Sequence, residues 1–236
     1  MNTTHHSIGD LQTDAASGLS YRIRQPILLN PTKCVILLHG VGGNETNLID
    51  LALGIDPDTL VVFPRGPLQI GTQQFAWFRV MFTAAGPNIV AEEAERSRQV
   101  LIQLVQQLQI QFGVAASNTL IAGFSQGGIL SASVALTEPE CVVGFAVLSG
   151  RILPELEPKL AARERLAKLK GFIGHGSHDS KLPVHWARRS DSLLSELGVD
   201  HTLHIYPIDH GISAEMHADF LKWIASLGWR DAASRA

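Results

Sequence analysis

The chain has 236 residues, a net charge of −3, and 45% hydrophobic against 17% charged residues, which suits one α/β domain with a sizeable core. There is no run of Lys or Arg, so a nucleic-acid partner is not expected, and no apolar run approaches the ~18 residues that span a bilayer, so neither is integral membrane association. The two cysteines, Cys34 and Cys141, each open an apolar run and are expected to pack in the core rather than form a disulfide or a metal pair.

Residues 1–18 are polar and lack the basic-then-apolar pattern of a signal peptide. They are expected to form a mobile N-terminal segment that includes His5-His6, ahead of a single domain over 19–230 and a short tail over 231–236. With unpaired thiols, this points to a cytoplasmic protein. Leu19 to Leu29 alternates loosely and reads as an edge strand bounded by Pro26 and Pro31. Cys34 to Leu38 is continuously apolar, as a central parallel strand covered on both faces would be. His39-Gly40-Val41-Gly42-Gly43 follows, and Asn44 is placed to cap a helix over 45–53.

Leu60 to Phe63 reads as the next buried strand. Pro64-Arg65-Gly66-Pro67 then opens a long connection, in which residues 75–82 are rich in aromatics yet sit between loop signals. A long helix is predicted over about 89–112, with Val100, Leu101, Leu104, Val105 and Leu108 at helical spacing, acidic residues at its start and Gly113 at its end. Residues 119–122 read as a strand and the run to Leu136 as a helix. Another strand is expected from Cys141 to Leu148, a helix over 159–168, and a short strand over 171–174. A helix from Pro183 to about Leu197 stops at Gly198, a strand covers 201–206, and a last helix covers about 212–227. From Cys34 onward strands and helices alternate, which argues for a mainly parallel, doubly wound sheet with helices on both faces.

Gly123-Phe124-Ser125-Gln126-Gly127 joins strand 119–122 to the following helix. A serine on so sharp a turn is cramped, so small residues are needed two before and two after it, and its hydroxyl is lifted above the sheet end. In open α/β sheets, sites lie beyond the carboxyl ends of the strands. Ser125, Asp179 and His210 each follow a different strand, in the chain order of an α/β-hydrolase triad. Serine is a poor nucleophile without a base. His210 is the expected general base and acid, and Asp179 the group that orients it. The amides of Gln126, at a helix start, and Val41, in the glycine-rich turn, are the expected oxyanion donors. Asp209 is a rival acid, but as the immediate neighbour of His210 its side chain is expected to point away from the imidazole. His175, His178 and Asp179 lack a further ligand at a convincing spacing, so no metal site is expected.

Several blocks resemble the phospholipase/carboxylesterase family of α/β-hydrolases, which includes bacterial carboxylesterases and acyl-protein thioesterases. They are Leu37-Leu38-His39-Gly40-Val41-Gly42-Gly43, Phe63-Pro64-Arg65-Gly66-Pro67, Ala76-Trp77-Phe78, Gly123-Phe124-Ser125-Gln126-Gly127-Gly128, His175-Gly176 with Asp179, and His210-Gly211. The resemblance covers about residues 34–225. It implies an α/β-hydrolase fold, the triad and oxyanion donors just named, and ester or thioester hydrolysis without a cofactor. Pro-Arg-Gly-Pro and Ala-Trp-Phe look more like the bacterial carboxylesterase branch. Where the family commonly has small residues before the catalytic histidine, this chain has Ile208 and Asp209.

Trp77, Phe78, Met81 and Phe82 are the expected acyl-binding wall, with Trp77 foremost, and Leu182 and Ile212 lie close to Asp179 and His210. No long insertion suggests a large lid, so short to medium acyl esters of small molecules are the expected substrates. A lysophospholipase or acyl-protein thioesterase is the enzymatic alternative, and a non-catalytic binder on a hydrolase scaffold is the alternative of another class.

Overall fold

The continuous apolar runs form the centre of one sheet. The computed structural model describes residues 8–27, 29–83 and 86–229. Its main sheet comprises β1 (Gln12–Thr13), β2 (Ser20–Arg24), β3 (Cys34–Leu38), β4 (Leu60–Pro64), β9 (Thr119–Phe124), β10 (Gly144–Leu148), β11 (Lys170–Gly176) and β12 (Asp200–Tyr206). The spatial order is β1-β2-β4-β3-β9-β10-β11-β12. The six strands from β4 to β12 run parallel, while β1 and β2 add on antiparallel at one edge. Helices α1 (Ala91–Phe112), α2 (Gln126–Thr137), α3 (Arg163–Leu166), α4 (His185–Leu197) and α5 (Ala214–Ser226) complete the layers.

Burial on both faces explains why the central strands do not alternate. Cys34, Ile36 and Leu38 of β3 face one core, shared with Leu101, Leu104 and Val105 of α1 and with α2 and α4. Val35 and Leu37 face the other, shared with Met216, Phe220 and Ile224 of α5. The glycines placed at helix ends do end them: Gly113 and Gly198 have φ of +66° and +73° after α1 and α4, the left-handed conformation that costs glycine nothing.

Five sequence expectations need correction. Residues 8–18 are not a free segment: Ile8 bridges Arg24 and β1 pairs with β2. Residues 1–7, with His5-His6, and the tail from 230 lie outside the described residues. The expected helix over 45–53 is a series of turns ending in a 3-10 turn, Asp50–Ala52. Asn44 Oδ1 accepts from Thr46 N at 2.9 Å and Asn47 Oδ1 from Asn44 N at 2.6 Å, local bonds that compete with helix formation. The expected helix over 159–168 shrinks to the four-residue α3, after a 3-10 turn over Pro154–Lys159 that carries Pro158. Cys141 sits in a 3-10 turn, so its strand starts at Gly144; both cysteines are buried and unbonded to each other.

The fifth correction concerns the connection after β4. It holds two antiparallel hairpins, β5 (Leu68–Gly71) with β6 (Gln74–Ala76) and β7 (Val80–Thr83) with β8 (Gly86–Ile89). The long helix therefore starts at Ala91, because Ile89 is paired with Val80. No helix among the described residues is long and apolar enough to cross a membrane.

Candidate active site

The turn between β9 and α2 is strained as its sequence requires. Ser125 has φ +53° and ψ −114°, a region non-glycine residues avoid. The strain is held by close packing. A Cβ on Gly123 would lie 2.3 Å from the Gly127 carbonyl carbon, and one on Gly127 would lie 2.0 Å from the Leu38 oxygen. Only hydrogen fits at both places, so α2 presses against the end of β3 and its first turn faces the site.

Three loops meet at Ser125. Its Oγ is 2.9 Å from His210 Nε2, and His210 Nδ1 is 2.8 Å from Asp179 Oδ2. Asp179 is buried, and its other oxygen accepts from the amides of Lys181 at 2.9 Å and Leu182 at 2.7 Å. The carboxylate is thus fixed before any substrate arrives. Asp209 turns away from the imidazole, as expected. It accepts from Ser180 N at 2.7 Å and Ser180 Oγ at 3.2 Å, and the Ser180 amide holds its pKa below the usual carboxylate range. It clasps the loop of Asp179 to the loop of His210.

Behind this line lies His175, fully buried. Its Nε2 is 2.7 Å from Leu182 O and 3.4 Å from Asp179 Oδ2. Burial pushes its pKa down, so it is neutral at pH 7 and Nε2–H is the donor to Leu182. Among the described residues no group of three or more His, Cys, Asp or Glu side chains is arranged to hold a metal ion.

Two amides remain to meet an anion. Gln126 opens α2, so its N–H has no partner within the helix and lies at the positive end of the dipole. In the turn after β3, Gly42 N donates to Phe75 O at 2.8 Å and Gly43 N to Gly40 O at 3.1 Å. The Val41 N–H has no such bond among the described residues. The turn reaches Ser125 because Gly40 leaves room for the Phe124 ring, 3.1 Å from where its Cβ would be.

The Gln126 side chain performs a second task that its position in the motif does not reveal. Its Oε1 accepts from Trp77 N at 2.7 Å and its Nε2 donates to Phe78 O at 2.6 Å. This clamp ties the hairpin connection to the start of α2. His39 forms a second tie: its Nε2 accepts from Gly66 N at 2.9 Å while Nδ1 donates to Gly40 O at 2.7 Å. Burial pushes the His39 pKa down to about 4. A third tie is buried Glu45, which accepts from Arg65 at 2.6 and 2.8 Å. Although burial opposes ionisation, the Arg65 hydrogen bonds hold its pKa down to about 2.

A cavity of about 240 Å³ opens beside Ser125 and His210. Phe78 and Leu182 line it. Trp77 does not: it is fully buried, packed in the core, with Nε1 donating to His39 O at 2.9 Å. Met81 is 65% exposed and is absent from the wall. Residues on a strand point to alternate faces, so Val80 turns inward while Met81 turns out. The Phe82 side chain lies outside what the structure describes. Ile212 lines a separate hollow on the other side of Gly40 and Phe124. The wall also contains Val80, Ile89, Phe124, Ile129 and two cations, Arg151 and Lys181. Arg151 directly follows Ser149-Gly150 at the end of β10, so the search for reactive residues just after a strand, applied to β10, would have found it.

The sheet order, the strained serine turn and the loops after β11 and β12 define an α/β-hydrolase. The sequence matches the phospholipase/carboxylesterase family over residues 23–227, and the chain belongs to that family. Among curated relatives it is 27% identical over 203 residues to acyl-protein thioesterase 1 of Emericella nidulans, covering 74% of this chain and 81% of that one. It is 28% identical over 178 residues to lysophospholipase-like protein 1 of Mus musculus, covering 68% and 67%. The crystal structure of esterase PE8 superposes with a TM-score of 0.77 at 26% identity, covering 89% of this chain and 99% of that one. The protein is a carboxylesterase-type serine hydrolase.

Proposed function

We propose that Ser125, His210 and Asp179 are the catalytic triad of an esterase acting on small-molecule carboxylic esters of short to medium acyl chains. The observation that carries this reading is the unbroken hydrogen-bonded line from Ser125 Oγ through His210 to buried Asp179. His210 Nε2 takes the Ser125 proton as Oγ attacks the carbonyl, and Asp179 stabilises the imidazolium through Nδ1–H. The tetrahedral oxyanion sits between the Val41 and Gln126 amides, where one donor is typically worth ~3 kcal/mol. His210 then protonates the leaving alcohol, and the acyl-enzyme is hydrolysed by a water that His210 deprotonates. No cofactor enters any step.

Chain length is inferred from the cavity. Its volume of about 240 Å³ falls below the ~300–1,000 Å³ of pockets for drug-sized ligands, and its wall is mainly apolar. A second reading, thioester or lysophospholipid hydrolysis, is favoured by the likeness to acyl-protein thioesterase 1 and lysophospholipase-like protein 1. A filled and hydrogen-bonded triad speaks against a non-catalytic binder. The cytoplasm is the proposed site of action and nucleic acid is not a proposed partner. Hydrolysis of p-nitrophenyl esters from acetate to palmitate, with Ser125→Ala as the blank, tests the reading. A peak at short chains that the variant lacks is expected. A peak at long chains would favour the second reading, and unchanged turnover by Ser125→Ala would refute the triad.

A further inference from the structure

One strongly charged group in the cavity has no use in the reaction just described. Arg151 is 4% exposed. Among the described residues its guanidinium makes no hydrogen bond and no ion pair, and Nε is buried without any partner. A guanidinium carries five N–H donors; of its nitrogens only Nε is shut off from solvent without a partner, and one such unmet donor in the interior is costly. The compensation within the fold is partial: the group lies 4.3 Å above the centre of the Trp186 ring, a cation–π contact. Glu155 attracts it electrostatically and Arg189 repels it, and burial pushes its pKa down; an arginine nevertheless stays charged at neutral pH.

The fold places this cation in the wall of the cavity that holds Ser125. After β10 the chain turns at Ser149, whose φ is +49° and whose Oγ donates to Gly211 O, next to His210, at 2.8 Å. A Cβ on Gly150 would lie 2.9 Å from the Ser125 oxygen, so the turn rests on the serine's own backbone. Ile152 N then donates to Ser190 Oγ at 3.1 Å. Arg151 is thus pinned on both sides and lines the same cavity as Ser125 and His210. Lys181, exposed at its rim, adds a second positive charge, and no Asp or Glu among the described residues lines the wall. An apolar acyl chain uses none of this.

We propose that Arg151 is a specificity-determining residue that binds a carboxylate carried by the substrate, so that the preferred esters are acidic: monoesters of dicarboxylic acids, or acyl esters of hydroxy acids. The proposal rests on Ser125 as nucleophile and adds the second anchor. The substrate's carboxylate accepts charge-assisted hydrogen bonds from the planar guanidinium fork, its short apolar stem lies against Phe78, Ile129 and Leu182, and its ester carbonyl reaches Ser125. Binding then supplies an acceptor to guanidinium donors that have no hydrogen-bond partner among the described residues.

The test compares matched ester pairs. Monoethyl adipate against ethyl hexanoate places the charge on the acyl side; 3-butanoyloxypropanoate against propyl butanoate places it on the alcohol side. Acid release gives kcat/KM for each. One pair is expected to favour the acidic ester at least about tenfold, and that pair identifies the side. The preference is expected to fall about tenfold or more in Arg151→Gln, with Arg151→Lys recovering part of it. Because the readout is a ratio, a general loss of catalysis cancels. Should Arg151→Gln not fold, the wild-type ratios and competitive inhibition by adipate but not by hexanamide decide. No acidic preference in either pair, or a preference that Arg151→Gln leaves intact, overturns the proposal. Turnover retained by Ser125→Ala would instead overturn the nucleophile on which it rests.

Discussion

Two regions face each other across the site and are held by different forces. The floor is β3, β9 and β10 with the start of α2, where almost every residue is buried and backbone meets backbone at contact distance. The roof is the excursion from Arg65 to Val90, two hairpins outside the main sheet. Polar ties hold it down: the Gln126 clamp on Trp77 and Phe78, the His39 bond to Gly66, the Glu45 pair with Arg65, and the Arg79 amide donating to Glu93 at 2.8 Å. The Ser125 turn is set by close packing, which has no slack, while Asp179 and His210 are held by hydrogen bonds. The hairpin side of the cavity wall is anchored in the core by Trp77 and Phe78 and tied by hydrogen bonds, which can be loosened one at a time.

The sharpest way to break the floor is Gly127→Ala. A single methyl 2.0 Å from the Leu38 oxygen cannot be accommodated unless α2 moves off β3. More than ~4 kcal/mol of destabilisation is expected, with loss of esterase activity, read by urea unfolding and turnover. A variant that folds and turns over normally would show that the floor is not rigid. Gln126→Ala sharpens the contrast, because it keeps the backbone amide and removes only the clamp. Two buried backbone groups lose their partner, at about 3 kcal/mol in total. A rise in KM larger than the fall in kcat is expected, since the wall that carries Phe78 and Val80 loosens. An equal loss in both would mean that the clamp serves the floor instead.

The seam between the regions is His39, and pH probes it. Its folded pKa of about 4 lies below the ordinary value of 6.5, so the unfolded chain binds the extra proton between those values. Stability is therefore full above about pH 6.5 and falls as pH drops towards 4, by roughly 2 kcal/mol between pH 7.5 and 5 for this group. Buried His175 acts in the same direction. Urea midpoints at the two pH values measure the fall, and His39→Gln, which preserves an acceptor for Gly66, should reduce it. A flat profile in the wild type would mean that neither histidine is buried in neutral form.

The floor was legible in the sequence and the roof was not. Cys34 to Leu38 and Thr119 to Phe124 are continuous apolar runs ending in reactive residues, and Gly123 and Gly127 state the steric requirement at Ser125 directly. Asp179 and His210 follow their strands in readable order. Trp77 reads as a pocket aromatic, yet its aromatic character serves the core, because the hydrogen bond to His39 O pulls the indole inward. Short hairpins such as β7–β8 give too few alternations to set a face, so Met81 was expected inside and is outside. The helix over 45–53 has apolar residues at workable spacing, but Asn44, Glu45 and Asn47 bind elsewhere, and those partners are distant in sequence or specific to the turn. Arg151 was readable by position only; that its guanidinium has no hydrogen-bond partner among the described residues is a property of the folded molecule.

The central claim is that Ser125 is an activated nucleophile. The most direct measurement is reaction of the purified protein with a fluorophosphonate, followed by mass spectrometry of the labelled peptide. A single adduct on Ser125, absent from Ser125→Ala and formed far more slowly by His210→Gln, is the predicted result. No adduct on a folded protein, or an adduct on another serine that Ser125→Ala leaves in place, would contradict the account.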